Sequence, residues 1–444
     1  MRTGKRIKRR DILKVAMGAY PAVCGFPSIV RASALGKSGS TAPSNRVVVG
    51  CIGNGAMGAH DIRGLTTQKD VHVAAVCDVS KERRITAQTL LATDYGNRDC
   101  QAYNDFREVM ARDDIDAVSI AAQDHWHALI AVAAAKAGKD VYCQKPLGMT
   151  LEECRVVREV VRKEGTIFQT GTQQRSSLFF RRACELARNG YIGKVHTVEV
   201  GAPGPNYKRT YMNPPTEEPI PDGFDFERYV GPAKMRPYNR GLHTQPDWYQ
   251  IRDYCVGFIV NWGVHHLDIA NWGVPEITTG QCELEFSGSY RDDGLTDNIK
   301  DWTGEFRYPS GLKMVFSDVG NPCAKGIKFI GDEGWVYIDR GGMFRAEPMS
   351  LLKAKPKPED KSLYPGARKG ASHYRNFIDC VRSRQEPLAP VEAGAQASYL
   401  GMVAEISAKL GRKLTWDHEK ERFVDDAAAN ALLSTPMRAP WSLS

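Results

Sequence analysis

The chain has 444 residues, more than one hydrophobic core usually serves, and a globular composition with 42% hydrophobic and 25% charged residues. Its formal net charge is +8, but residues 1–34 hold eight basic residues against one acidic residue, so the remainder is nearly neutral. This distribution argues against nucleic-acid binding, and the eleven cysteines, none in a CxxC pair, predict neither a disulfide framework nor a zinc site.

The first 34 residues resemble an export signal. The basic stretch Lys8–Lys14 is followed by an apolar segment, Val15–Val30, and then by Ala32-Ser33-Ala34. The paired arginines resemble the twin-arginine signal, whose pathway exports folded proteins. We therefore expect cleavage near Ala34, a periplasmic protein without a permanent membrane span, and a linker at residues 35–45. A basic tail and a membrane anchor are the alternatives, and the short apolar segment argues against an anchor.

From residue 46 the chain alternates short apolar runs with segments of helical periodicity. Four runs are predicted strands: Val47–Ile52, Val71–Cys77, Ile115–Ala121 and Asp140–Cys143. This alternation predicts an α/β fold that begins with a Rossmann-type, doubly wound parallel sheet with helices on both faces. We assign this domain to residues 46–168.

After Phe168 the pattern changes to alternating segments that contain aromatic residues. The predicted strands are Val195–Gly201, Gly280–Phe286, Trp302–Tyr308, Leu312–Ser317 and Lys328–Ile338. They predict that residues 169–444 form a C-terminal α/β domain with a large, mostly antiparallel open sheet, whose last helices could pack back on the first domain. Residues 203–247 show little periodicity and are predicted to form a long ordered loop near a site or interface.

A glycine-rich turn follows the first predicted strand and opens a predicted helix. Gly53, Gly55 and Gly58 have the spacing GxGxxG. The first glycine allows a tight turn, the second lets the backbone approach a pyrophosphate, and the third lets the helix pack on the strand. The turn predicts a dinucleotide site with contacts from Gly53, Asn54, Gly55, Ala56, Met57 and Gly58.

Asp78 ends the next predicted strand, where a carboxylate can bind ribose hydroxyls and repel a 2′-phosphate. This favours NAD over NADP. Lys81, Arg83 and Arg84 follow closely and could hold a phosphate, so NADP stays an alternative.

Two more polar groups follow predicted parallel strands, at the edge where such sheets bind ligands. One strand runs into Asp124-His125-Trp126-His127 and the next into Gln144-Lys145-Pro146. An ammonium at Lys145 could hold a substrate hydroxyl and stabilise the alkoxide character that develops as hydride leaves. Taken alone, a surface lysine is the favoured interpretation of Lys145.

The segment Asn261–Asp268 places Asn261, His265 and Asp268 at a spacing that predicts one helix face. A neutral His265 could take the hydroxyl proton near neutral pH. A buried packing histidine is the alternative for His265 and the favoured interpretation for His266. The spacing matches no recognised ligand set, so no metal is expected.

Together these motifs resemble the glucose–fructose oxidoreductase and inositol dehydrogenase family, often called Gfo/Idh/MocA, over nearly all of residues 46–441. The resemblance includes Gly171–Ser176 and His373–Phe377. It implies an NAD(P)-dependent oxidoreductase with its site between two domains, and association into homodimers or homotetramers through the open sheet.

Site residues follow from this resemblance. Lys145 and His265 match the family's catalytic residues, His127 a histidine near the nicotinamide, and Arg175 a substrate contact. We add Asn261 to the catalytic group and His125 and Gln144 to the cofactor contacts. The remaining candidates to line a carbohydrate pocket are Trp248, Arg252, Asp268, Tyr249, Tyr211 and His243.

Two positions depart from the family pattern. Gln144 stands where the family usually has Glu, and Asn261 stands where inositol dehydrogenase-like members have Asp. We expect the loss of a neighbouring carboxylate to disfavour protonated Lys145, and Asn261 can orient an imidazolium but cannot stabilise it by charge.

Three functions remain open. The first is hydride transfer between a carbinol of a sugar, glycoside or cyclitol and a nicotinamide. Because an exported enzyme has no obvious supply of free NAD, we expect a tightly bound cofactor, which also suits a redox-neutral, NAD-dependent glycoside hydrolase that oxidises its substrate transiently. The third is a non-catalytic sugar or cofactor sensor, which the presence of both Lys145 and His265 disfavours.

Overall fold

The computed structural model describes residues 41–205, 216–290, 296–318, 325–364 and 372–443. The predicted signal at residues 1–34 and residues 35–40 of the predicted linker lie outside the described residues. The chain divides into the unit Met1–Arg46, whose described part contains the 3-10 helix Pro43–Asn45, and the unit Val47–Ser444.

The second unit begins with a six-stranded, all-parallel sheet in the order β3-β2-β1-β4-β5-β6. Its strands are β1 (Val47–Ile52), β2 (Val71–Cys77), β3 (Gln101–Tyr103), β4 (Ala117–Ile120), β5 (Asp140–Cys143) and β6 (Phe168–Thr170). This is the strand order of a Rossmann fold, so the predicted fold class is confirmed, and the order reverses between β1 and β4, where such sheets bind ligands.

Five helices connect these strands: α1 (Ala56–Thr66), α2 (Lys81–Tyr95), α3 (Phe106–Met110), α4 (Asp124–Lys136) and α5 (Leu151–Glu164). Local sequence sets several of their ends. The Ser80 and Thr150 side chains accept hydrogen bonds from the backbone of the first turns of α2 and α5, and Gly96 and Gly165 end the same two helices in the left-handed conformation.

The rest of the unit contains a nine-stranded sheet in the order β13-β12-β11-β7-β10-β9-β8-β14-β15. Only the β7–β10 pair among its described neighbours is parallel. The strands are β7 (Val195–Ala202), β8 (Gln281–Tyr290), β9 (Ile299–Arg307), β10 (Lys313–Asp318), β11 (Gly326–Gly331), β12 (Gly334–Ile338), β13 (Phe344–Glu347), β14 (Leu414–Asp417) and β15 (Arg422–Phe423).

The helices of this part of the chain are α6 (Leu178–Arg188), α7 (Phe226–Val230), α8 (Phe258–Asn261), α9 (Val264–Gly273), α10 (His373–Ser383), α11 (Val391–Leu410) and α12 (Ala427–Asn430). Of these, α6, α8, α9 and α11 contact strands of the nine-stranded sheet and cover one of its faces. Along β8, Cys282, Leu284 and Phe286 are buried while Glu283 and Glu285 are exposed, so the opposite face is open as the sequence predicts.

One predicted strand is wrong. Lys328–Ile338 is a hairpin of β11 and β12 joined by Asp332 and Glu333, with Gly331 paired to Gly334. A Cβ on Gly334 would lie 2.2 Å from the Glu347 carbonyl oxygen, so the β13 backbone approaches too closely for any larger residue. The Gly-Asp-Glu-Gly sequence is a turn signal that the apolar residues on either side obscure.

The segment predicted as a long ordered loop lies against the parallel sheet in its described part. It contains α7 and the 3-10 helix Arg240–Leu242, and Phe224 forms a β-bridge with Ser80. An aromatic cluster of Phe226, Tyr229 and Tyr238 forms its core. The segment thereby becomes one wall of the cleft described below.

Three further features complete the fold. The tail helix α10 packs on α1, and its Phe377 joins the apolar cluster of Val49 and Val73. All nine described cysteines are buried and unpaired. Among the described residues, no helix combines the length and apolar character that a membrane crossing requires.

Candidate active site

A deep cleft lies at the carboxyl ends of β1, β2, β4 and β5. The parallel sheet contributes the glycine-rich turn, Asp78 and Lys145. The opposite wall comes from the C-terminal half of the chain, through Tyr229, Trp248, Tyr249, Asn261 and Trp441.

The glycine-rich turn has the shape that a dinucleotide pyrophosphate requires. Gly53 has φ +81°, and a Cβ there would lie 2.4 Å from the Ala122 nitrogen. A Cβ on Gly58 would lie 1.8 Å from the Gly53 carbonyl oxygen, so this glycine allows helix α1 to approach the strand. A Cβ on Gly55 would meet no atom closer than 3.8 Å, so it would project into open space that a bound group can occupy. The residues present therefore fit a dinucleotide.

Asp78 holds this turn and faces the cleft. Its carboxylate accepts hydrogen bonds from the Asn54 backbone nitrogen at 2.7 Å and the Ser80 backbone nitrogen at 2.8 Å. Of the basic residues that left NADP open, Arg84 donates to the Asp78 carbonyl oxygen and to Asn104, and only Arg83 lines the cleft. This arrangement favours a ribose with free hydroxyls over a 2′-phosphate.

Lys145 is fixed by Asn261. Its Nζ donates to the Asn261 backbone oxygen at 2.9 Å and to Asn261 Oδ1 at 3.0 Å. The amide nitrogen of Asn261 donates to both carboxylate oxygens of Asp124, each at 2.9 Å. With the amide oxygen facing an amine and the amide nitrogen facing a carboxylate, only one orientation of Asn261 satisfies both neighbours.

Two opposing effects act on Lys145. Burial lowers the pKa of its ammonium, whereas the negative charge of Asp124 raises it. Asp124 therefore supplies the carboxylate that Asn261 lacks, on the far side of Asn261 from Lys145. Since two of the three positions on Nζ are committed to Asn261, the third remains for a substrate hydroxyl.

His127 fixes the loop that carries Lys145. Its Nδ1 lies 2.6 Å from the Pro146 oxygen and its Nε2 lies 3.0 Å from the Ala122 oxygen. It thus connects the segments that follow β4 and β5, and it also lines the cleft. Burial lowers the pKa of its imidazole.

His265 is near Lys145 but is not among the residues that line the cleft. It is 4% exposed, and its Nδ1 has no hydrogen-bond partner in the described part of the chain. Burial lowers the pKa of His265, and the charges of Arg340 and Lys145 lower it further. Its ring is therefore neutral at pH 7, as a proton acceptor must be.

The other departure from the family pattern, Gln144, also faces a carboxylate. Its Nε2 lies 2.9 and 3.0 Å from the two carboxylate oxygens of Asp61, and the Tyr374 hydroxyl donates to Asp61 at 2.7 Å. The sequence analysis missed Asp61, which lies in α1 and is 1% exposed. Both amides of the site, Gln144 and Asn261, therefore donate to a buried aspartate, and an acid at either position would replace this amide donor with a second carboxyl group.

We expect Asp61 to make the stability of the protein depend on pH. Burial raises its pKa to about 7, although hydrogen bonds from Gln144 and Tyr374 oppose the shift. Between about pH 4 and pH 7 the folded state holds a proton that the unfolded state has lost, so the contribution of Asp61 to stability falls as pH rises through this window. Relative to the parent, Asp61→Asn should gain up to about 4 kcal/mol of unfolding free energy between pH 4 and pH 8. Denaturant unfolding measures this difference, and one that is flat with pH contradicts the assignment.

Asp124 and Asn261 should show strong coupling. Asn261→Asp places two carboxylates 2.9 Å apart, and we expect it to cost about 1–3 kcal/mol of stability at pH 8. The double variant Asp124→Asn/Asn261→Asp restores one acid and one amide and should recover most of the loss. The four unfolding free energies give the coupling energy, and additive effects would show that this contact does not order the site.

Several predicted contacts lie away from the cleft. Arg175 and Asp268 form a bidentate ion pair with each other, at 2.7 and 2.8 Å, with side chains 8% and 0% exposed. Arg252 is paired with Glu405. None of the three predicted contacts, Arg175, Asp268 and Arg252, lines the cleft. Asn261 ends α8, whereas His265 and Asp268 belong to α9, so these three polar residues lie on two helices rather than on one.

Some of the remaining predicted residues line the cleft and others do not. His125 faces the Tyr229 and Tyr254 carbonyl oxygens at 2.9 and 3.4 Å and does not line the cleft. His243 packs in the aromatic cluster, and Tyr211 lies outside the described residues. The predicted residues that line the cleft are Gly53, Gly55, Ala56, Met57, Asp78, His127, Gln144, Lys145, Trp248, Tyr249 and Asn261.

Asn54 and Gly58 do not line the cleft but support the glycine-rich turn, Asn54 through a hydrogen bond from its side chain to the Cys77 oxygen at 3.0 Å.

Asp124 and Tyr229 were missed as site residues. Asp124 lies within the quoted Asp124–His127 motif, so its position after a strand was a usable signal, whereas nothing local marks Tyr229. No group of three or more potential metal ligands occurs among the described residues.

Comparison with known proteins gives a consistent result. Residues 47–172 match a family model described as oxidoreductase family, NAD-binding Rossmann fold, and residues 182–443 match its companion, described as oxidoreductase family, C-terminal alpha/beta domain. A Myo-inositol 2-dehydrogenase of Thermotoga maritima is 30% identical over 377 residues, which cover 82% of this chain and 97% of that protein.

Solved structures share the fold at lower identity. The WlbA dehydrogenase of Bordetella pertussis, in complex with NADH and UDP-GlcNAcA, has a TM-score of 0.60 and 16% identity over 83% of this chain and 98% of that one. The aldose-aldose oxidoreductase of Caulobacter crescentus, complexed with glycerol, has a TM-score of 0.59 and 18% identity over 83% and 99%.

Proposed function

Because this chain belongs to the Gfo/Idh/MocA family of NAD-binding oxidoreductases, we propose that it transfers hydride between a carbinol of a sugar or cyclitol and NAD. The observation that carries the proposal is the cleft in which a dinucleotide-shaped turn and a half-buried lysine held by Asn261 lie together. A relative that acts on inositol and a structural neighbour that acts on aldoses support a polyol substrate.

When bound, the nicotinamide ring accepts the hydride. The chain's own residues handle the hydroxyl of the same carbinol. Lys145 binds that oxygen through the position on Nζ that Asn261 leaves free, and it stabilises the negative charge that develops as the C–H bond breaks. His265 is neutral and accepts the hydroxyl proton as the carbonyl bond forms, and Asp124 holds Asn261 in place throughout.

We further propose that the protein works in the periplasm as a homo-oligomer with tightly held NAD. The signal-like residues 1–34 support export. The open face of the nine-stranded sheet offers a surface for association. A cofactor that leaves slowly would suit a compartment without a supply of NAD.

The test is to purify the protein as made, identify the nucleotide released on denaturation, and follow absorbance at 340 nm with a panel of sugars and cyclitols. Stoichiometric NADH indicates net oxidation, and product without lasting NADH indicates the redox-neutral reaction. Ligand binding with neither product nor reduced nicotinamide on any member of the panel would support a sensor and contradict the proposal.

A further inference from the structure

Two cations flank one indole ring beside the site. The Arg340 guanidinium carbon lies 5.1 Å from the centre of the Trp262 ring, and Lys325 Nζ lies 5.4 Å from it. Lys325 precedes β11 and Arg340 follows β12, so both extend from the same end of one hairpin. Trp262 follows Asn261 directly in the chain, and Asn261 holds Lys145. The indole ring and its two cations therefore lie beside the proposed site.

Neither cation has an acidic partner in the described part of the chain. The ion pairs found there involve other residues, and no described side chain accepts a hydrogen bond from Arg340 or Lys325. The nearest acid along the chain, Asp339, is engaged with the Met343 backbone nitrogen at 3.0 Å and the Tyr337 hydroxyl at 3.4 Å. Both cations are exposed to solvent and free to meet a ligand.

Arg340 also acts on the two groups proposed to react. After burial, the charge of Arg340 is the largest cause that lowers the pKa of His265, and it lowers the pKa of Lys145 as well. The Trp262 ring packs edge-on against His265 at 5.7 Å. The positive charge of Arg340 therefore reaches His265 and Lys145, and neither Arg340 nor Lys325 forms an ion pair with a carboxylate in the described part of the chain.

We propose that the substrate of this site carries an oxyanion, a carboxylate or phosphate, which Arg340 and Lys325 bind beside Trp262 while its carbinol lies at Lys145. The inference rests on the proposed function and specifies its substrate class, an anionic sugar or cyclitol. The planar fork of Arg340 matches the oxygens of either group, and Lys325 adds a second charge.

The experiment uses the NAD-loaded protein and matched ligands: D-glucose, D-glucuronate and glucose 6-phosphate, with the galactose series beside them. Calorimetry measures binding and absorbance at 340 nm measures reduction of NAD. We expect at least one anionic member to bind about tenfold or more tightly than its neutral counterpart, with affinity that falls as salt rises. The carboxylate and phosphate members show which oxyanion is preferred.

Arg340→Ala should weaken binding of that anion by about ten- to a hundredfold and leave binding of the neutral sugar unchanged, because one charge-assisted contact is lost. Lys325→Ala should act in the same direction, and Arg340→Lys should retain part of the affinity. Arg345→Ala removes an exposed arginine from the neighbouring β13 and is the control.

Neutral ligands that bind as well as the anions, anions that do not bind at all, or an Arg340→Ala effect equal on both classes would overturn the inference. These results are separable from failure of the proposed function. Anion binding that depends on Arg340 without any reduction of NAD would contradict oxidoreductase activity alone. NADH formation from the polyol panel, with anions that bind no more tightly than neutral sugars and no effect of Arg340→Ala on anion binding, would contradict the anion site alone.

Discussion

Lys145→Ala should lower the rate of NADH formation by about 100- to 1000-fold while NAD stays bound, because it removes the side chain that we propose binds the reacting hydroxyl. The side chain lies in the cleft, where its Nζ is held by Asn261. None of the backbone contacts of the glycine-rich turn depends on it. Single-turnover rates at 340 nm and the nucleotide content of the purified variant measure the two effects separately.

Two controls define this result. Lys163→Ala removes an exposed lysine from α5 and should leave the rate unchanged. Lys145→Arg keeps the charge but cannot fit the same two contacts to Asn261, and we expect only partial activity. A Lys145→Ala enzyme that reduces NAD at the rate of the parent would remove Lys145 from the reaction.

Asp78→Ala should change the cofactor preference from NAD towards NADP by about 100-fold or more in the ratio of the two dissociation constants. The parent carboxylate would oppose a 2′-phosphate, and juxtaposed like charges cost several kcal/mol. The Arg83 side chain, which also lines the cleft, then becomes available to the phosphate. Calorimetric titration with both nucleotides measures the ratio.

The same substitution also removes the acceptor for the Asn54 and Ser80 nitrogens, so we expect NAD binding to weaken as well. Asp78→Asn retains an acceptor without the charge and separates these effects. Glu82→Ala removes an exposed carboxylate from the start of α2 and is the control. Equal preference in the parent and Asp78→Ala would show that this carboxylate does not select the cofactor.

The parallel sheet was predictable because its buried strands are continuous apolar runs. Val47–Ile52, Val71–Cys77 and Asp140–Cys143 have the predicted bounds to the residue. The three-residue strands β3 and β6 were missed because so short a segment has no period to detect. The hairpin of β11 and β12 was merged because its two-residue turn lies between apolar residues.

The site was predictable where function depends on local chain geometry, as in the glycine-rich turn and Lys145. It was not predictable where side chains meet across the fold. Asp61 and Gln144 are 83 positions apart, and Arg175 and Asp268 are 93 positions apart, so no local pattern reveals either contact. For this reason the sequence alone indicated a loss of negative charge at Gln144 and Asn261. In the structure each of these amides donates to a carboxylate, Asp61 or Asp124.

The most direct test of hydride transfer at Lys145 is stopped-flow absorbance at 340 nm on the NAD-loaded protein, with a polyol that the parent converts to product. The parent should show reduced nicotinamide, lasting in net oxidation or transient in a redox-neutral turnover, and Lys145→Ala should show neither at the parental rate. Product formed by the parent with no reduced nicotinamide at any time would contradict the account.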